Sequence, residues 1–318
     1  MQNLSSAQKQ HLDDGGPVKV TIQVDPVSGE PFSITDYDLA EKSFTIERNW
    51  TTGSNIEIGC ADTAELIFTL DNADGQWSDI RWEGARLTVI YYINGEPLRA
   101  GIFTVDEPPR RLSTMQIRAL DNMARFNRPW VPGISFPATL FQIIQDACNQ
   151  CNVTLGTLEF DNDDYVVEQK PVGDDITNHH IVAWVAELAG SNAWIDEFGQ
   201  LRLSWYGDNQ IGNFEISPHN MMSYDEIAEA DIEITGIVYR TEEIDYILGT
   251  DKYALLIADN PLLQNNFEAV LTVLYNKIGG FRYRPYRLEV VGYPHVWPGD
   301  IITKLIDIEG NELTSIVT

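Results

Sequence analysis

Basic residues are scarce in this chain. Twenty-one lysines and arginines stand against 48 aspartates and glutamates, which leaves a formal charge of −27 over 318 residues. The deficit is spread along the chain: 17 acids and 11 bases in 17–130, 13 and 2 in 131–215, and 16 and 7 in 216–318. Such a surface argues against specific nucleic-acid binding, because gripping a phosphate backbone needs lysine and arginine to displace its counterions. It leaves room for DNA to slide past a negative wall, and it is equally what solubility alone would ask for. Cysteine is nearly missing. Cys60, Cys148 and Cys151 are too few for a disulfide scaffold. Long apolar runs are missing too: a membrane-spanning helix needs a run of roughly 18 or more apolar residues, and none occurs. The opening residues, MQNLSSAQKQHLDDGG, lack a charged stretch followed by an apolar one, so 1–16 reads as a polar arm and not as a secretory signal.

The motifs of catalysis are absent as well. No Ser-x-x-Lys, Gly-x-Ser-x-Gly or His-Glu-x-x-His occurs. His11, His179, His180, His219 and His295 fall in no triad pattern, and no glycine loop suited to phosphate is seen. Cys148-Asn149-Gln150-Cys151 is a lone C-x-x-C. Zinc wants about four ligands, and a redox pair wants a helix N-terminus; here the pair closes an apolar helix face and reads as two small hydrophobes. Asp161-Asn162-Asp163-Asp164 has calcium-loop composition, but Val166 stands where that loop needs glycine. Asp71-Asn72-Ala73-Asp74-Gly75 reads as a tight turn. No pair of acids is marked for glycoside hydrolysis. The expectation is no catalytic site, no metal and no cofactor.

What is there is mostly β. Alternation over 19–24, 44–48, 65–70, 87–93, 98–105 and 114–120 predicts short strands, with Asn94-Gly95 as a hairpin turn. The pattern changes near Trp130-Val131-Pro132-Gly133. Apolar residues at Leu140, Ile143, Ile144, Ala147, Cys148 and Cys151 share one helix face. A second helix is predicted over 177–189 with Gly190 as its stop, then a hairpin around Phe198-Gly199. From about 216 the chain returns to β: a strand over 231–240, a helix opened by Asn260-Pro261, a strand over 281–290, a Trp297-Pro298-Gly299-Asp300 turn, and strands over 301–306 and 313–317. Because the last residues lie inside an apparent strand, a longer product continuing past Thr318 is expected. The expected class is α+β, mainly β, with two β-barrel-like domains, 17–130 and 216–318, and a small α+β domain, 131–215, between them. The two β segments could be distant copies of one fold.

Arginines cluster in this acidic background. Arg110, Arg111, Arg118, Arg125 and Arg128 form one group, and Arg282, Arg284 and Arg287 another. Arginine pairs bidentately with carboxylates, so these are candidates for a contact with an acidic neighbouring subunit; internal or solvated salt bridges explain them equally. The eight tryptophans read chiefly as core.

Several stretches resemble one family. They are Ile102-Phe103-Thr104-Val105-Asp106-Glu107-Pro108-Pro109, Ile117-Arg118-Ala119-Leu120-Asp121-Asn122-Met123, the upstream Ile56-Glu57-Ile58-Gly59 and Leu66-Ile67-Phe68-Thr69-Leu70-Asp71-Asn72, then Asp259-Asn260-Pro261-Leu262-Leu263 and Pro294-His295-Val296-Trp297-Pro298-Gly299-Asp300. In this order, over most of 17–318, they resemble the baseplate hub proteins of tailed phages, including the N-terminal hub part of tail-associated lysins. The resemblance implies a homotrimer at the tail tip of a virion, made in the bacterial cytoplasm. Two barrel-like domains per chain would give a pseudo-six-fold ring. That ring would join the tail tube or distal tail protein to a three-fold spike or fibre protein, meet the tape measure protein, and line a channel for DNA ejection. Trp297, in the last motif, joins the arginines as an interface candidate. Many relatives carry a peptidoglycan-cutting module further on. A tail-associated hydrolase with its chemistry beyond this chain is therefore the alternative function.

Overall fold

The computed structural model describes residues 2–51, 55–110, 112–173, 175–208, 215–216, 220–226, 230–306 and 312–318. The chain is α+β and mainly β. Its N-terminal arm is not extended. Ser5 and Gln8 form a capping box that starts α1 (Ser6–Asp13). Leu4 and Leu12 then pack on Ile93 and Leu98, so two apolar residues in a polar stretch suffice to seat it.

Seven strands follow: β1 (Val18–Asp25), β2 (Phe32–Thr35), β3 (Thr45–Glu47), β4 (Glu65–Asp71), β5 (Arg86–Ile93), β6 (Glu96–Val105) and β7 (Thr114–Leu120). They form one antiparallel sheet in the order β2-β1-β5-β6-β7-β4-β3. Period-two alternation sends Ile22, Val24, Leu66, Phe68, Leu87, Val89, Met115 and Ile117 to one face. All of them join a single core. Among the described residues no second sheet supplies residues to that core, which the strands and loops of this sheet fill themselves. Trp77 and Trp82, from the loop after β4, complete the core, the Trp77 indole donating to the Asp71 carbonyl at 2.9 Å. Asn94 and Gly95, both at positive φ, make the tight β5–β6 turn.

The middle segment opens with a 3-10 turn (Asn122–Phe126), then β8 (Ala138–Thr139), α2 (Leu140–Cys151), β9 (Val166–Val167), α3 (Asn178–Leu188) and the hairpin β10 (Asn192–Ile195) and β11 (Leu201–Ser204). Thr139 with Gln142, and Thr177 with His180, box the two helix starts. Buried Asp146 on α2 accepts from the Trp130 indole at 3.1 Å and from the Gly133 amide, which pins the entry to this segment. Gly190 ends α3 at φ 57. The positive φ favours glycine there, and a Cβ would also lie 2.9 Å from Leu274 Cδ2, so Leu274 would have to shift.

The last segment holds β12 (Met221–Glu226), β13 (Ile232–Glu233), β14 (Gly236–Arg240), β15 (Asp245–Gly249), β16 (Ala254–Ala258), α4 (Phe267–Ile278), β17 (Arg282–Tyr283), β18 (Tyr286–Val290), β19 (Ile301–Ile306) and β20 (Glu312–Ile316). Several expectations shift here. The strand expected over 231–240 is two, β13 and β14. Pro285 splits 281–290 into β17 and β18, since proline donates nothing to a ladder. The helix opens at Phe267, not at Pro261. The Asn260 side chain instead donates to the Trp184 carbonyl at 3.0 Å and to Glu187 at 2.7 Å. β15 and β16 were not foreseen, and β14 pairs with β16 in parallel.

Among the described residues the last segment does not repeat the first sheet. Its strands pair as β12·β18, β13·β17, β15·β14·β16 and β19·β20. Hydrophobic packing also runs across the expected 215/216 division. Ile237, Tyr239, Ile257, Val270, Leu271 and Leu274 belong to the same core as Ile143, Ala147, Val182 and Val185 of α2 and α3.

Candidate assembly interface

All three segments meet in an aromatic junction. Trp50, Trp205, Tyr206, Ile278 and Tyr283 share a core that Trp194 and Phe281 flank. Trp50 lies edge-on to Tyr206 at 5.5 Å, Trp194 to Trp297 at 5.4 Å, and Trp205 to Phe281 at 5.5 Å, the offset geometry that aromatic quadrupoles favour. Gly299 passes so close to Trp50 that a Cβ there would sit 2.2 Å from the indole ring. Arg48, just after β3, places its guanidinium carbon 3.9 Å over the Trp297 ring and donates to the Ala100 carbonyl at 2.5 Å.

Burial lowers the Arg48 pKa to about 10, against opposing help from Tyr91, Asp121 and Glu197, so it stays charged at neutral pH. Burial likewise lifts the Asp121 carboxyl to about 7, despite the Met123 amide it accepts from and the Arg48 charge. The space between Arg48, Asp62, Asp121, Trp194 and Trp297 is only about 20 Å³, room for a water and not a ligand. The junction is a clamp between segments. Nothing local in the sequence marks it, because its residues lie far apart in the chain.

The predicted interface residues are scattered. Arg118, on the outside of β7, pairs with Glu65 and, at 3.2 Å, with Asp106. Arg125 donates to the Asn152 carbonyl at 3.0 Å and Arg128 to the Gln150 carbonyl at 3.3 Å, where both meet the orphan carbonyls ending α2. Arg282 pairs with Glu233 at 2.5 Å and Arg284 with Asp231 at 2.8 Å, across the β13–β17 ladder. Arg110 and Arg287 are exposed, and Arg111 lies outside the described residues. Trp297 is 5% exposed and belongs to the junction.

The groups considered for chemistry have local roles. Cys148 and Cys151 are buried on α2; burial pushes the Cys148 thiol up to about 12 and raises Cys151, so neither is a thiolate at neutral pH. His179 Nε2 is 2.6 Å from the Ala61 carbonyl, and His180 caps α3. His219 lies outside the described residues. Asn162 turns the acidic loop at φ 59, and Asp161 pairs with Lys277 at 2.9 Å. Among the described residues no three His, Cys, Asp or Glu side chains are grouped to hold a metal, and no helix is long and apolar enough to cross a membrane.

No family model matches the chain, and no curated protein matches it in sequence. Solved structures match in shape. The 43 kDa tail protein of prophage MuSo2 from Shewanella oneidensis has a TM-score of 0.54 at 15% identity, covering 93% of this chain and 90% of that one. The tail protein from Neisseria meningitidis MC58 has a TM-score of 0.59 at 11% identity, covering 93% of this chain and 89% of that one. The chain has the fold of these tail proteins. At such identities the fold is what is shared. It extends over the first sheet, the helical middle and the last segment together, so the likeness is to the whole arrangement and not to one common sheet.

Proposed function

We propose that this chain is a structural subunit of the tail of a phage or phage-like particle, a trimeric baseplate hub at the tail tip, with no catalytic activity of its own. The observation that carries the reading is the fold likeness to two tail proteins over about nine-tenths of each chain. The clamp supports it, because a part that transmits force benefits from segments locked by aromatic packing. In this reading 17–130 and 216–318 form the ring, 131–215 decorates it, and the acidic surface lets DNA pass. Its neighbours are the distal tail or tail tube protein, the tape measure protein and a spike or fibre protein. The arginine groups, with Arg110 and Arg287 foremost because they are exposed and their side chains bond to none of the described residues, contribute to subunit contacts.

Reversing Arg282 and Arg284 would be a poor probe, since it also breaks the Glu233 and Asp231 pairs inside the chain. The better test is an epitope tag on particles, followed by electron microscopy. Label at one end of the tail, in a three-fold pattern, is expected. Particles carrying no label, or label along the whole tube, would end the hub reading. A zymogram on cell-wall material should show no cleared band.

A further inference from the structure

The outer face of the first sheet carries a cleft of about 370 Å³. Cross-strand register builds its floor: Gln23 lies between Ser33 of β2 and Thr88 of β5, and Arg86 lies opposite Asp25. Arg99 of β6 closes one side. Asp25 is the only acid in the lining. Neither Arg86 nor Arg99 has an ion-pair partner among the described residues, and the Arg99 Nε is buried with no acceptor. In a chain with more than two acids for every base, these two arginines share one cleft with no carboxylate paired to either, whereas Arg118, Arg202, Arg240, Arg282 and Arg284 each have one and Arg48, Arg125 and Arg128 donate to backbone carbonyls instead.

We propose that this cleft is a socket for an acidic side chain presented by a second copy of this chain, an inference that rests on the self-assembly in the reading above. The chemistry selects a carboxylate. Guanidinium forks bind carboxylates bidentately. A buried donor left without an acceptor is destabilising, a cost removed when an acceptor arrives. Charge complementarity selects this chain as the bearer, because its surface is rich in aspartate and glutamate. The surroundings of Arg99 suit a protein contact more than a free anion: Phe198, 57% exposed and outside the cleft lining, has its ring 5.5 Å from the Arg99 guanidinium carbon, and aromatic residues and arginine are enriched where protein surfaces meet.

The test is the oligomeric state of the purified chain by sedimentation. The unaltered chain should self-associate, and Arg86→Glu with Arg99→Glu should weaken association about tenfold or more, as loss of a desolvated charge pair does. Arg86→Lys and Arg99→Lys keep the charge and add an amine. Carbodiimide treatment of either lysine variant, mixed with an isotope-labelled copy, should link position 86 or 99 to an aspartate or glutamate of the other copy. A chain that stays monomeric, a charge-reversed variant that associates normally, or links confined to one chain would each overturn the socket. Should the glutamate variant fail to fold, the cross-links of the lysine variants decide. A wrong tail assignment shows differently, as unlabelled tails with self-association intact.

Discussion

The first sheet and the last segment are both β-rich, yet they obtain their cores in different ways. The core of β1–β7 is filled from within the segment: the alternating face of a single sheet, with Trp77 and Trp82 from its loop, packs around Phe68, Leu87 and Ile117. The last segment divides its loyalty. Its β14, β16 and α4 join the core of α2 and α3, while β19 packs through Ile302 and Leu305 in a separate small cluster. A strand pattern therefore tells that a sheet face is buried, but not which partner buries it. The aromatic clamp, chiefly Arg48 and Trp50 against Trp194, Tyr206 and Trp297, then ties the sheet to the shared core beside Ala61, Met123 and Phe126, which enter that core directly.

The sharpest way to break this comparison is Leu274→Ala. Leu274 is fully buried and touches Gly190 beyond α3. Removing a core leucine side chain costs about 3 kcal/mol. If the core is shared, hydrogen exchange should quicken in α2 and α3 as much as in β14, and the slow amides of β4 and β7 should keep their protection. Quickening confined to residues beyond 216 would mean that the last segment stands by itself.

A smaller effect follows from Glu187, at the seam where α3 meets Asn260. Burial lifts its pKa from the ordinary 4.5 to about 7, against the Asn260 bond. The folded value lies above the unfolded one, so the folded state holds the proton longer. The stability this gives is complete below about pH 4.5 and is lost as pH rises through about 7. Glu187→Gln mimics the protonated form. It should match the parent near pH 4 and exceed it at pH 8 by on the order of 2 kcal/mol, read from urea midpoints. An equal gap at both pH values would show that the carboxyl is not held in a burying environment. The change should again spare the first sheet.

Much of the fold was legible where the physics is local. Alternation located six of the seven strands of the first sheet to within about two residues and missed the short edge strand β2; Asn94-Gly95 marked its hairpin, and the face from Leu140 to Cys151 marked α2. What stayed hidden depended on contacts distant in sequence. Asn260-Pro261 carries a helix-start signal, but the Asn260 amide is drawn to Glu187 and Trp184 and the helix waits until Phe267. Leu4 and Leu12 gave too weak a pattern for α1 until Ile93 and Leu98 were beside them. The interface arginines were found as a cluster in sequence, whereas in space most serve different neighbours. Arg86 and Arg99 share a cleft although they are thirteen residues apart, since only the β5–β6 pairing brings them to one face.

The smallest predicted effect separates holding the fold from holding a partner. Arg118 pairs with Glu65 and Asp106 on the outside of β7, and its side chain is 48% exposed. Solvent screens such pairs, and they are typically worth about 0.2–1 kcal/mol. Arg118→Ala should therefore lower the unfolding free energy by about 0.5 kcal/mol, an effect shrinking as salt is added. The Leu274 and Glu187 changes act on the shared core; this one acts on the first sheet alone, so Tyr206 and Trp297 fluorescence at the clamp should be unmoved. Incorporation into particles supplies the contrast. If Arg118 serves only its own sheet, so slight a loss leaves incorporation unchanged. If it also contacts a neighbouring subunit, incorporation falls far more than stability does, because a charge pair desolvated between subunits is stronger than the same pair in water. Equal and small changes in both measurements would remove Arg118 from the interface and leave Arg110 and Arg287, exposed members of the two groups whose side chains bond to none of the described residues, to account for it.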